Sequence, residues 1–260
     1  MTGAGAVAGL VLLEWGAGWL ATAAWTQSWD VVRRGHFRIL GYGALILAVL
    51  VVTIDRTSLP DDPARFALIV AFAGAAVIYV LVQYSRTDLP GVVAGGVAAT
   101  CGAAALVVAA GDVADWTQAV AAIEFVTGAA LLGGVTNGML LGHWYLNQPG
   151  LKPWALARLT NFSLGATIVV AVVGLAAAGK LATASTEGAI LGLPGFGESF
   201  GAVFFAAWIV LIAFTGAVVW MARRCVAIKS IQSATGLYYV ALLTAGVSEF
   251  MVRYLMVNAT

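Results

Sequence analysis

Long apolar runs, broken by short polar connections, organise the whole chain. A helix that crosses a bilayer needs about 20 mostly apolar residues. Eight runs meet that requirement, at roughly 5–27, 38–54, 66–84, 90–110, 117–145, 155–179, 201–222 and 234–257. The second is the shortest and draws on its flanks. The first lacks a basic leader and carries Glu14 in mid-run, so it reads as a span rather than a signal peptide. The pattern predicts an all-α polytopic membrane protein of about eight transmembrane helices, forming one integral membrane domain over residues 1–260. The longest connection, 180–200, is Gly-rich and reads as a loop or a short interfacial helix.

The polar connections alternate in charge. The first, third, fifth and seventh hold Arg33, Arg34, Arg38, Arg86, Lys152, Arg158, Arg223, Arg224 and Lys229, nine of the 13 lysines and arginines. The second, fourth and sixth are dominated by Asp55, Asp61, Asp62, Asp112, Asp115, Glu187 and Glu198. Basic connections stay in the cytoplasm. The expected product is therefore a multi-pass protein of a bacterial inner membrane, or comparable cell membrane, with both termini outside. A missed helix would scramble this alternation, so it also supports the count of eight. Trp25, Trp29, Trp144 and Trp154 fall near the inner interface and Trp116 near the outer one, as aromatic belts require.

Composition agrees. Hydrophobic residues make up 62% of the chain and charged ones only 10%, with a mean hydropathy of +0.96, whereas soluble domains carry about 25% charged residues. The net charge of +1 points to no nucleic-acid partner. Cys101 and Cys225 lie in different segments without a CxxC, which leaves no disulfide or zinc framework and no metal site.

The fifth run is the densest in unusual features: TQAVAAIEFVTGAALLGGVTNGMLLGHWYLNQPGLKP, from Thr117. Glu124 interrupts its apolar stretch. Gly134, Gly138 and Gly142 recur every four residues and share a helix face, which lets a neighbouring helix approach closely. A weak internal repeat accompanies it. Glu14 and Gly18 in the first run match Glu124 and Gly128 in the fifth, and an arginine opens the next run in each case, Arg38 and Arg158. FAGAAVIY (Phe72–Tyr79) matches FTGAVVWM (Phe214–Met221) at four of eight positions. These matches suggest two four-helix halves of the same orientation, residues 1–112 and 113–260, related by duplication about an axis along the membrane normal.

Ionisable groups inside spans are costly and mark function by default. Glu14 lies near mid-membrane, Glu124 and Glu249 toward the outer half, and Arg253 near the outer interface, where its head can snorkel. Glu249 and Arg253 are four apart on one helix and form a structural ion pair. A carboxyl group in a low-dielectric site can hold or relay a proton, which makes Glu14 and Glu124 candidate proton-handling groups. The alternative for both is an interhelical lock that only fixes packing. Toward the inner side Tyr42, Asn137, His143 and Asn161 are the candidate ligand-binding residues. A quinone head needs a donor to each carbonyl within an apolar slot, and these side chains are of the right kind. His143 reads equally as an interfacial histidine beside Trp144. A haem b would need both histidines of the chain, and His36, within RRGHFR, reads as part of a solvated basic turn. No phosphate-binding loop, HExxH or GxSxG is present.

An eight-helix core built as two four-helix halves resembles the NrfD/DmsC-type quinol-binding membrane subunits of respiratory oxidoreductases. The stretches GHWYLNQP and IKSIQSATGLYYVALLTAGVSEFMVRYL resemble those of bacterial polytopic membrane proteins and imply no activity. The first resemblance implies a quinone site without a redox cofactor of the chain's own, hence a non-catalytic or quinone-site subunit of an electron-transfer complex with a redox partner subunit. The carboxylates would then handle the accompanying protons. Two other readings stand beside it: a small-solute or ion transporter that uses the same carboxylates, and a membrane anchor for a peripheral partner. Lipid is a partner in every case, and a homo-oligomer is compatible with each.

The charge alternation yields a direct test. A tag fused after Thr260 is expected to be digested by protease added to intact cells. Protection of that tag until the membrane is opened would reverse the orientation.

Overall fold

The computed structural model describes residues 1, 3–184 and 196–258. Helices α1 (Ala4–Gln27), α2 (Arg34–Ser58), α3 (Pro63–Val82), α4 (Leu89–Ala109), α5 (Gln118–Trp144), α6 (Trp154–Ala176), α7 (Ala178–Thr183), α8 (Phe196–Ala227) and α9 (Ile231–Asn258) follow in order, and one 3-10 turn, Ala110–Asp112, extends α4. Eight of them, all but α7, are long and apolar enough to cross a membrane. They correspond one for one to the eight runs in the sequence. The connection at 180–200 is helical at both ends, in α7 and the start of α8; residues 185–195 lie outside the described part.

Helix α8 exceeds its expected run by five residues at each end, and α2 runs from Arg34 to Ser58 rather than 38–54. Its flanking charges find partners inside the protein. Arg34 Nε pairs with Asp88 at 3.0 Å and Asp55 accepts from Arg65 Nε at 2.8 Å, so the helix carries its charged ends into the fold. Local chemistry sets other boundaries. Asp62 caps α3 by accepting from the amides of Ala64 and Arg65, at 2.8 and 3.1 Å, with Pro63 in the first turn, which satisfies donors the helix itself cannot use. Asp30 and Asp115 take left-handed backbone conformations in tight turns, which short polar side chains tolerate.

Short connections make successive spanning helices run in opposite directions. One end of the bundle therefore holds the start of α1 and the finish of α9, and the other holds the basic connections. At the terminal end the Met1 amino group donates to the Asp112 carbonyl at 2.7 Å, and buried Arg65 joins Asp55, Asp112 and the Pro60 carbonyl. At the other end buried Gln27 and Gln83 exchange hydrogen bonds at 2.8 and 3.2 Å.

The helices pack as two similar groups. In the first, α1 lies against α2 and α4, and α3 against α2 and α4. In the second, α5 lies against α6 and α9, and α8 against α6 and α9. The groups meet along α1 and α5, flanked by α1 against α9 and α4 against α5.

Glycine makes the central seam possible. A β-carbon at Gly18 would collide with the backbone carbonyl of Ala129, and one at Gly133 with that of Gly18. Across the gap Thr22 Oγ1 donates to the Gly133 carbonyl at 3.1 Å. The Gly134, Gly138 and Gly142 face lies elsewhere, against Ser163 and Phe162 of α6 and against Tyr238 and Thr235 of α9. Helix α5 therefore presents small residues to three neighbours.

Backbone cannot yield as a side chain can. Gly18→Ala is expected to cost at least the ~1–3 kcal/mol typical of overpacking and to lower the melting temperature in detergent. Gly96→Ala, where an added β-carbon meets nothing within 4 Å, is expected to leave it unchanged or raised. Equal melting temperatures for the two variants would contradict the close seam.

Candidate functional site

Four charged side chains from three helices meet where the two groups join. Arg253 of α9 is at the centre. Its Nε donates to Glu14 Oε1 of α1 at 2.5 Å. Its Nη2 donates to Glu249 Oε2, one turn earlier on α9, at 2.8 Å and to the backbone carbonyl of Glu124 on α5 at 2.6 Å. Its Nη1 lies 3.4 Å from Glu124 Oε2 and 3.2 Å from Met256 Sδ. The guanidinium also sits over the Phe125 ring, 5.0 Å from its centroid. Arg253, Glu14 and Glu249 are 0% exposed and Glu124 is 1% exposed.

This corrects the expectation for Arg253, which does not snorkel to the surface. Its partners on α1 and α5 hold it inside the protein. The Glu249–Arg253 ion pair is present, but it is one arm of a larger cluster. Glu14 and Glu124 share the same arginine and so belong to one site.

Gly128 keeps this site open. A β-carbon there would stand 2.5 Å from Glu249 Oε2, 2.6 Å from Arg253 Nη2 and 3.0 Å from Glu14 Oε2. The glycine four residues after Glu124 thus bares the Glu124 carbonyl and gives the guanidinium its place. Its counterpart Gly18, four residues after Glu14, instead admits the α5 backbone.

The hydrogen-bond accounting is uneven. An arginine has five N–H groups, and those of Arg253 are matched by five acceptors: Glu14 Oε1, Glu124 Oε2, Met256 Sδ, the Glu124 carbonyl and Glu249 Oε2. The second oxygen of each carboxyl group, Glu14 Oε2, Glu124 Oε1 and Glu249 Oε1, is buried without a hydrogen-bond partner. Arg253 has no donor left for them. Buried polar atoms are normally satisfied, and a buried charge is costly unless paired and hydrogen-bonded.

The ligand-binding candidates at the other end have separate surroundings. Asn137 is buried, donates to Thr26 Oγ1 at 3.1 Å, and its Oδ1 lies 3.3 Å from His36 Nε2. Tyr42 is 48% exposed, with its hydroxyl 2.6 Å from that of Tyr84. Asn161 is exposed and accepts from Arg223 Nε at 2.6 Å. His143 is exposed. No hydrogen bond links these four residues to one another. His36 corrects the solvated-turn expectation: α2 already begins at Arg34, which turns His36 inward onto Asn137 and beside the Trp144 ring, 5.7 Å away. Just outside the spans, the Tyr145 hydroxyl donates to the Lys152 carbonyl at 2.8 Å and accepts from the Leu156 amide at 3.3 Å. Burial pushes its phenol up to about 12 against the opposing pull of that amide, so it remains a donor at neutral pH.

Several polar residues carry more structure than their sequence context suggests. Gln27 pairs with Gln83 and also donates to Asp88 at 3.1 Å. Arg65 is fully buried. Trp15, next to Glu14, donates to Thr136 at 2.7 Å. A signal for some of them exists. Thr26–Gln27 and Thr136–Asn137 stand twelve and thirteen residues after Glu14 and Glu124 respectively. Thr26 and Gln27 thus stand at the same distance from Glu14 as Thr136 and Asn137 do from Glu124, and reading that spacing finds Thr26 and Gln27.

Comparison with family models, curated proteins and solved structures finds no match to this chain. The chain is a polytopic membrane protein with a buried charged cluster at the junction of its two helical groups.

Proposed function

We propose that this protein moves a small solute or ion across the membrane in exchange for, or together with, protons, and that the Arg253 cluster is the coupling site. The observation that carries this reading is the set of three unpartnered carboxyl oxygens around an arginine with no donor left. A purely structural lock is expected to satisfy its polar atoms, whereas a site that takes up and releases protons needs oxygens free to accept them.

Position supports the same reading. The cluster draws one residue or more from α1, α5 and α9, so a change in its charge acts on the boundary between the two helical groups. Coupling sites of transporters built from related halves lie at such boundaries. A quinone-binding subunit of an electron-transfer complex would use the same carboxylates, but it also needs donors that converge on one slot. Tyr42, Asn137, His143 and Asn161 each have different neighbours, so the geometry favours transport.

Gln keeps the size of Glu and much of its hydrogen bonding but does not titrate. The test uses proteoliposomes loaded with a pH-sensitive dye and challenged with a panel of small organic cations, organic acids and inorganic ions. Wild type is expected to change the lumenal pH with at least one class. Glu124→Gln is expected to fold normally and to respond about 100-fold more slowly, the low end for loss of a positioned proton-transfer group. A wild-type rate in Glu124→Gln, or no response by wild type to any class, would overturn proton coupling.

A further inference from the structure

We infer that the resting cluster holds two protons, shared among Glu14, Glu124 and Glu249, so that the coupling unit is a proton pair balanced against Arg253. This rests on the proton-coupled reading above and adds its stoichiometry.

The count comes from charge and geometry. The ion pairs and hydrogen bonds of the cluster bring together three carboxyl groups and one guanidinium. With every group ionised, a fully buried site would carry two uncompensated negative charges, and buried charge without compensation is expelled or neutralised. Among the described residues no other charged side chain shares these contacts, whether from α1, α5, α8 or α9; Arg65, the other fully buried cation, is committed to Asp55 and Asp112. Nor is any group of three or more His, Cys, Asp or Glu among them placed to hold a metal ion. Protons are the remaining counter-charge, and the oxygens that would carry them are present. Glu14 Oε2, Glu124 Oε1 and Glu249 Oε1 are each buried and unpartnered. Each proton taken up forms one O–H bond at such an oxygen and cancels one negative charge; nothing is oxidised or reduced.

Geometry also ranks the three groups. Glu14 and Glu249 are held by Arg253 at 2.5 and 2.8 Å, whereas the Glu124 carboxylate is 3.4 Å away and α5 contributes its backbone carbonyl instead. The weakest ion pair is the first to be given up, so Glu124 is the group that exchanges its proton with the outside of the cluster, and one of the other two keeps the charge that faces Arg253.

The test counts un-ionised carboxyl groups per chain in resting protein, from the infrared carbonyl stretch, at neutral pH and without substrate. Wild type is expected to show two that depend on the cluster. Because charge balance fixes the number rather than the identity, each of Glu14→Gln, Glu124→Gln and Glu249→Gln is expected to lose one. Arg253→Gln is expected to gain one. Exchanging potassium for sodium in the buffer should change nothing. No such groups in wild type, a loss confined to a single Glu variant, or a signal that falls when sodium is added would each overturn the proton pair. Where one variant fails to fold, the wild-type count and the remaining variants still decide. Turnover is not part of this measurement. A count of two beside a fully active Glu124→Gln would reject the coupling role and leave the stoichiometry, while proton-coupled transport with another count would reject the stoichiometry alone.

Discussion

Arg253 has five N–H groups and no exposure to solvent. Everything around it follows from that constraint. The guanidinium is always charged, and its side chain is shut away from solvent, so its place in the fold must supply both counter-charge and acceptors. Three helices do so: α1 with Glu14, α5 with the carboxyl and carbonyl groups of Glu124, and α9 with Glu249 and Met256. Removing one partner from a buried ion pair typically costs about 3–5 kcal/mol, because the other charge is left uncompensated. The cluster therefore fixes how the two helical groups sit against each other. Its surplus of carboxyl groups is what the proposed proton coupling draws on.

The α1/α5 seam carries the complementary constraint. Inside a bilayer no hydrophobic effect drives helices together, and close packing with occasional hydrogen bonds must serve instead. Gly18 and Gly133 bring the two backbones into contact, and Thr22 and Asn137 bridge them by hydrogen bonds to the Gly133 carbonyl and to Thr26. Small residues and polar bridges thus occupy the length of the seam, with the charged cluster toward one end and the His36–Asn137 pair toward the other.

Much of this architecture was legible in the chain. Apolar run length alone located all eight spans, because the bilayer imposes a length on any helix that crosses it. Glu14, Glu124, Glu249 and Arg253 stood out for the same reason: lipid is no place for an unpaired charge. Their convergence on one arginine was not legible. It depends on which helix faces lie inward, and a low-contrast apolar sequence does not show that. Arg253 read as a residue near a helix end, where snorkelling is ordinary, and Glu249 one turn away offered a sufficient local partner. His36 misled for a similar reason, since three arginines within RRGHFR mark a solvated turn while the helix begins at Arg34 and turns the ring inward. Tyr42, His143 and Asn161 are of the right chemical kind for one ligand, but chemical kind does not determine which neighbours they meet. Thr26 and Gln27 were within reach, because they keep the spacing from Glu14 that Thr136 and Asn137 keep from Glu124.

The central claim is that Arg253 and its glutamates form one electrostatic unit across the helical groups. A double-mutant cycle on the unfolding free energy in detergent, using Arg253→Met, Glu14→Gln and the two combined, tests it most directly. Glu14 and Arg253 are 239 residues apart in sequence, so coupling between them has no local explanation. The account predicts that Glu14→Gln, harmful alone, partly repairs Arg253→Met by removing a carboxyl group that, without the arginine, has to be neutralised by a further proton, with a coupling energy of about 1–3 kcal/mol. Additive losses within about 0.5 kcal/mol, the behaviour of distant independent sites, would contradict it.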